Sequence, residues 1–419
     1  MELKHVSDNA ELRFEDLEFE DKQETIKVSF LKNFYFDLER QALQRIGDFE
    51  LQKNAITFLN TTENAARNKF NALLDYGLAS LRSKVTKKPT FYVHRYSGIP
   101  LIGSNVFGLI DRNTNIIEVK PLTGCNENCV YCSVDEGLST SKTSEIVVEK
   151  DYLVQEFKKL VAFKDCEVEA YINSQGEPTL YGKLPELVKD LNSLENVRGV
   201  VMNSNGSVLD EAYIDRLADA GLKRLNLSLN ALDERKAKVI AGWGLYNIGR
   251  IKQVAEYAAK KMELLIAPVW IPGYNDEEIP KLIKYALDIG AKIGVQNYLY
   301  YKRGRNPTTP MAWEKFYEKL AGLEKDFGVN LTKMDLKNEF RIMATKNLPK
   351  PFRKGQVIDA KIMCPGRYPK EKIAVAVSGD ADKGSATRNI TIINCSRESG
   401  TVRAKIIRTK HNVFSAVAL

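Results

Sequence analysis

Three of the six cysteines fall within eight residues, in the run Gly124-Cys125-Asn126-Glu127-Asn128-Cys129-Val130-Tyr131-Cys132. The spacing is C-x3-C-x2-C, and thiolates so spaced reach one soft metal centre from a single loop. Three ligands rather than four leave one iron of a 4Fe–4S cluster without a protein thiolate. That iron is open to a small molecule carrying an amine and a carboxylate. A zinc site, or three unrelated thiols, is the competing reading. Zinc sites usually pair two C-x2-C elements; here Cys166, Cys364 and Cys395 stand alone. Six cysteines in 419 residues are too few for a disulfide scaffold.

A loop of this kind needs rigid elements to hold it. The apolar run Ile116–Leu122 leads straight into it. Further runs follow at Val168–Ile172, Val197–Met202, Leu222–Leu229, Leu264–Trp270 and Ile293–Tyr301. Between them lie segments of helical period, such as Leu153, Val154, Phe157, Leu160 and Val161, then Leu209–Ala220, Ile248–Lys261 and Glu277–Ile289. Strands alternating with helices predict an α/β fold with a parallel sheet, a partial or open (βα)6 barrel. A doubly wound open sheet is the alternative. Both place chemistry at the C-terminal ends of the strands. Ahead of the barrel, Phe70, Leu73, Leu74, Leu78 and Leu81 predict a packing helix within residues 62–84, in an N-terminal extension read as mostly helical. From Gly355 on, the chain is rich in Val, Ile and Thr and punctuated by Gly366, Gly379, Gly384 and Gly400. Runs at Ile373–Val377, Asn389–Ile393 and Thr401–Ile407 predict a small C-terminal β-barrel. The expected segments are 1–109, 110–347 and 348–419.

The cysteine loop together with the six βα units, about residues 110–305, resembles the radical SAM superfamily. The resemblance implies that Cys125, Cys129 and Cys132 hold a 4Fe–4S cluster whose open iron binds S-adenosylmethionine. Reductive cleavage then makes a 5′-deoxyadenosyl radical. Other positions match one by one. Gln175-Gly176-Glu177-Pro178 is similar to the family's Gly-Gly-Glu segment, with Gln175 replacing the first glycine; this implies that Gly176 and Glu177 serve the S-adenosylmethionine amino group. Ser204-Asn205-Gly206 resembles a Thr-Asn-Gly. Ser228-Leu229-Asn230 stands where relatives carry Ser-x-Asp against the ribose. Pro272-Gly273-Tyr274 resembles a turn near the cofactor, and Tyr131 is at the aromatic position beside the adenine. The stretches Tyr96–Gly103, Thr123–Gly137 and Ile266–Trp270 resemble an archaeal group that includes the methanogenesis-marker radical SAM methyltransferase. Cobalamin-dependent C-methylation of a protein residue such as arginine is therefore one expectation. No cysteine precedes Cys125, so the N-terminal cluster domain of methylthiotransferases is missing.

The net charge is +8, and residues 351–419 hold 13 Lys and Arg against 5 Asp and Glu, the whole surplus. This segment resembles a TRAM-like or OB-like domain, which implies RNA binding. Alternation places Arg403 and Lys405 on one face of a strand, followed by Arg408 and Lys410, a stripe that attracts phosphates. A solvated barrel face is the other reading, and only Tyr368 and Phe414 are available to stack bases. Lys302-Arg303-Gly304-Arg305 follows the sixth strand; Arg303 and Arg305 are candidate grips for a substrate phosphate or carboxylate, and a solvated loop is the other reading, slightly favoured. The expected partners are an RNA or protein substrate and a reductant such as ferredoxin or flavodoxin. A non-catalytic iron–sulfur RNA-binding protein is the remaining class. The longest apolar stretch, Leu264–Pro272, is far short of the ~20 residues of a membrane span. The charged N-terminus has no apolar core of a secretory signal, so a cytoplasmic location is expected.

Overall fold

The computed structural model describes residues 9–332, 341–377 and 387–419; Gly379 and Gly384 lie outside the described residues. The chain divides into two compact units, residues 1–93 with 143–147 and residues 94–142 with 148–419.

The first unit corrects the expectation of a mostly helical extension. One antiparallel sheet joins Ala10–Arg13, Ala55–Phe58 and Phe49–Gln52; another joins Leu17–Asp21, Thr25–Phe30, Phe34–Glu39 and Arg82–Ser83. Its one long helix is Glu63–Ala79. The cause is the period. Thr25–Phe30 and Phe34–Glu39 bury every second residue, which suits a strand packed on one face. The buried positions are β-branched, aromatic or leucine.

In the second unit, β1 (Ile116–Lys120), β2 (Val168–Ile172), β3 (Val197–Ser204), β4 (Leu222–Leu227), β5 (Glu263–Ile266) and β6 (Lys292–Ile293) form a parallel sheet in sequence order. Gly108–Asp111 pairs antiparallel on the outer edge of β1. Sequential order selects barrel-like winding; a doubly wound sheet reverses its order midway. The connecting helices are α1 (Lys150–Lys164), α2 (Leu184–Asn192), α3 (Glu211–Asp219), α4 (Glu234–Ala241), α5 (Ile248–Lys261) and α6 (Glu278–Asp288). Asp210, Asp233 and Asn247 cap α3, α4 and α5 by accepting a backbone N–H from the third residue on. The fifth run breaks where Pro268 lacks an N–H. It resumes at Val269–Trp270, which pairs with Gln296–Asn297.

The C-terminal β-barrel is closed. Its strands β7 (Val357–Pro365), β8 (Lys372–Ala376), β9 (Asn389–Ile393), β10 (Thr401–Arg408) and β11 (Ser415–Ala418) run in the order β7-β8-β9-β11-β10. Its core contains Ile358, Ile390, Ile406 and Phe414. Phe414 is wholly buried, edge-on to Phe352 at 5.3 Å, so it is not free to stack a base. The barrel is stitched to the strand-like segment 100–103. The Asn389 N–H donates to the Ile102 carbonyl at 3.0 Å and the Phe414 N–H to that of Gly103 at 2.7 Å. Gly103 has φ of +142°, and a Cβ there would lie 1.9 Å from the Asn389 carbonyl oxygen. Only glycine satisfies both constraints.

Candidate active site

β1 delivers its chain through Pro121 into the cysteine loop. The loop is held from the ends of four neighbouring strands. Behind β2, a Cβ on Gly176 would sit 1.6 Å from the Gly124 carbonyl oxygen, and the Glu177 N–H donates to that oxygen at 2.9 Å. Behind β3, Asn205 Nδ2 donates to Asn126 at 3.1 Å, and Asn126 Nδ2 to Ser207 at 2.8 Å. Behind β4, the N–H groups of Asn128 and Val130 donate to the α4 carbonyls of Ala241 and Ile240 at 3.0 and 2.9 Å. Behind β6, Arg305 donates to the Cys129 carbonyl at 3.0 Å and the Glu136 carbonyl at 2.7 Å, and pairs with Asp135 at 3.0 Å.

These supports turn the three cysteines toward one cavity of about 210 Å³. All three are unpaired thiols, partly exposed to it. Burial, then the charge of Glu127, pushes the Cys125 and Cys129 thiols well above their ordinary range. Such thiols ionise when a cation binds them. Among the described residues no group of three His, Cys, Asp or Glu side chains converges on a single metal ion. A polynuclear cluster spreads its thiolates further apart than one ion does. Soft donors on one loop, facing one cavity, fit such a cluster.

The structure brings together most of the other expected residues. Tyr131, Gly176, Glu177, Ser204, Asn205 and Ser228 line the cavity. Asn230 stands beside it, donating to the Tyr131 hydroxyl at 2.7 Å while its own oxygen accepts the Val269 N–H at 2.9 Å. Glu177 is 2 % exposed, and both its oxygens already work within the protein. They accept from Thr179 N–H (3.0 Å), Thr179 Oγ1 (2.6 Å), Ser204 Oγ (2.8 Å) and the Asn205 N–H (2.8 Å). Burial raises its carboxyl, against these bonds. It locks the end of β2 to the end of β3.

The basic candidates sit elsewhere. Arg305 braces the loop, as described. Arg303 lies 4.4 Å over the ring of Tyr368 and 3.3 Å from Glu371, so it faces the barrel and covers the other aromatic expected to stack bases. Arg403 and Lys405 are exposed on the outer face of β10, outside the cavity lining. Glu127, Glu136, Asn173 and Asn203 are among the cavity residues to which the sequence reading gave no role. Glu127 is 3 % exposed, its carboxyl pushed up to about 8, chiefly by burial. Its place between two of the cysteines was a legible signal. Asn173, Asn203 and Asn226 form a ladder across β2, β3 and β4 at 3.2 and 2.9 Å. Their positions at adjacent strand ends were equally readable. Glu136 lay in a stretch that carried a resemblance but assigned it no role.

Residues 119–286 match the family described as the radical SAM superfamily. The chain is 39% identical over 376 residues to the uncharacterized protein MJ0103 of Methanocaldococcus jannaschii, covering 82% of this chain and 84% of that one. It is 30% identical over 188 residues to the GTP 3′,8-cyclase of Listeria monocytogenes, covering 44% of this chain; it spans about half, 54%, of that enzyme's length. Among solved structures, Streptococcus suis SuiB bound to S-adenosylmethionine aligns with a TM-score of 0.41 at 15% identity, over 76% of this chain and 71% of that one. Among the described residues no helix is long and apolar enough to cross a membrane.

Proposed function

The chain belongs to the radical SAM superfamily, whose members use a 4Fe–4S cluster and S-adenosylmethionine, and from that premise we propose that it modifies a macromolecule, RNA before protein. The observation that carries the enzyme reading is the convergence of three thiols, Tyr131, Gly176 and Ser228 on one cavity at the C-terminal ends of β1–β4.

When bound, the family's cofactors supply an electron and a 5′-deoxyadenosyl radical that abstracts a substrate hydrogen. The residues of this chain do the rest. Cys125, Cys129 and Cys132 would hold the cluster. Gly176 lets the β2 end lie against the loop, leaving its own face open for a cofactor. Glu177 fixes Ser204 and Asn205 at the rim. Asn230 holds the Tyr131 hydroxyl, so the ring presents a fixed apolar face beside the cysteines.

RNA is favoured by the outer face of β10. Arg403, Lys405 and Arg408 are exposed there, with Lys361 of β7 nearby and Asp359 opposite Arg403 as the one counter-charge of that pairing.

Anaerobic reconstitution with iron and sulfide tests the enzyme reading. The expected result is brown absorbance and formation of 5′-deoxyadenosine from S-adenosylmethionine on reduction. Both are lost in Cys125→Ala, Cys129→Ala and Cys132→Ala. A cluster that never cleaves S-adenosylmethionine would leave only a non-catalytic iron–sulfur protein. Cobalamin retained after purification would move the substrate from RNA to a protein residue undergoing C-methylation.

A further inference from the structure

We infer that Arg367, carried by the C-terminal barrel, is a positioning residue for the cysteine loop, so that the barrel is a working part of the catalytic unit. The inference rests on the cluster reading above.

The chain after Cys132 runs Ser133-Val134-Asp135-Glu136-Gly137. The Cys132 sulfur accepts the N–H of Glu136 at 3.3 Å, so the backbone of Glu136 directly supports the third thiol. The Glu136 side chain is 2 % exposed and pairs with two cations. Lys142 comes from the same loop. Arg367 comes from 231 residues further along and meets Glu136 at 2.9 Å, with both side chains out of solvent. Arg367 heads the wholly buried side chains of the described residues by volume. Burying a guanidinium is costly without a fixed anion beside it, so this placement requires the two partners to be held in register.

The register is built from both sides. Arg367 sits in the β7–β8 turn. There Glu371 accepts the N–H groups of Arg367 and Tyr368 at 3.0 and 3.2 Å. Gly366 is packed so tightly that a Cβ would lie 2.5 Å from the Glu371 side chain. In the opposite direction, Arg303 reaches from the mouth of the parallel sheet to Glu371 and Tyr368. Its neighbour Arg305 holds the carbonyls of Cys129 and Glu136, and its own N–H donates to that of Cys132 at 2.9 Å. Three cations, Lys142, Arg305 and Arg367, thus meet two acids, Asp135 and Glu136, directly after the third cysteine.

Two consequences separate this role from simple adhesion of the barrel. A cation beside the loop stabilises the electron-rich reduced state of a cluster, because charge and hydrogen bonding around the sulfurs set its potential; removing Arg367 leaves Glu136 with one cation fewer. A pinned loop also slows release of iron. Glue alone would affect thermal stability and nothing else.

The full-length protein is reconstituted anaerobically as wild type, Arg367→Met and Arg353→Met; Arg353 is an exposed control. Midpoint potential is read by EPR-monitored titration, iron loss by chelator challenge, and unfolding of the cluster-free protein by melting. Arg367→Met is expected to have a more negative midpoint and to lose iron about 10-fold faster, with Arg353→Met like wild type. Should Arg367→Met not fold, Arg367→Lys decides. It keeps the charge but loses the guanidinium geometry, so it should release iron faster at a near-normal midpoint. A folded Arg367 variant with wild-type midpoint and iron release overturns the inference, even if it melts earlier. A wild type that takes up no iron overturns the cluster reading instead.

Discussion

At Gly176 the constraint is space alone. The position needs no unusual φ, but a methyl group would land 1.6 Å from the Gly124 carbonyl oxygen. Neither backbone can yield, because the Glu177 N–H is bonded to that same oxygen. Gly176→Ala is therefore expected to cost about 3 kcal/mol of stability in urea unfolding and to reduce iron loading. Unchanged stability would show that the β2 end can move away from the loop. The sequence made Gly176 legible through its motif, though not this reason for it. Glu177 was legible as a site residue in the same way; that its oxygens are committed to Thr179, Ser204 and Asn205 depends on where β3 ends. That Arg305 braces the loop was not legible, for a related cause. A cation after the sixth strand is as ready to grip a backbone as a substrate, and only the position of the loop carbonyls decides between them.

The first four strands of the parallel sheet and helices α1, α3, α5 and α6 were read closely, because their apolar periods are continuous; α2 and α4 carried no named run, the fifth run breaks at Pro268, and of the sixth only Lys292–Ile293 joins the sheet. The N-terminal strands were missed because each has at most six residues, and because Ala10–Arg13 pairs with the distant Ala55–Phe58. α1 carries an element-level anchor that no period announces. Lys164, in its last turn, is wholly buried and pairs with Asp111 at 2.7 Å. The same ammonium donates to Thr345 Oγ1 at 2.8 Å and the Lys346 carbonyl at 2.7 Å. It thereby ties the segment leading to the barrel onto the back of the parallel sheet. Three acceptors suit the three protons of an ammonium. Lys164→Met leaves Asp111 buried without that partner and is expected to cost about 3–5 kcal/mol in denaturant titrations. A loss under 1 kcal/mol would mean that water replaces the ammonium there.

For the whole molecule, the charge surplus of +8 is smaller at the surface than the sequence implies. Of the cations after residue 350, Arg367, Lys372 and Arg388 are buried. Arg367 meets Glu136, Lys372 meets Glu398, and Arg388 donates to the Pro349 carbonyl at 3.3 Å. The exposed stripe of β10 carries the remaining argument for a polyanion. Removing two of its cations in Arg403→Ala/Lys405→Ala should lower the slope of log affinity against log salt by about 1.4 for single-stranded RNA. Fluorescence anisotropy of the intact protein across a salt series measures it. An unchanged slope removes RNA from the proposed substrates. The sequence by itself determined the cysteine loop, the order of the βα units and the strand-end motifs, because these are local: a spacing, a period, a turn. Only the tertiary structure decided which cations face solvent and which brace the loop. Arg367 and Glu136 are far apart in the chain, and their meeting depends on the closed barrel docking at Gly103, a relation between surfaces that no single segment encodes.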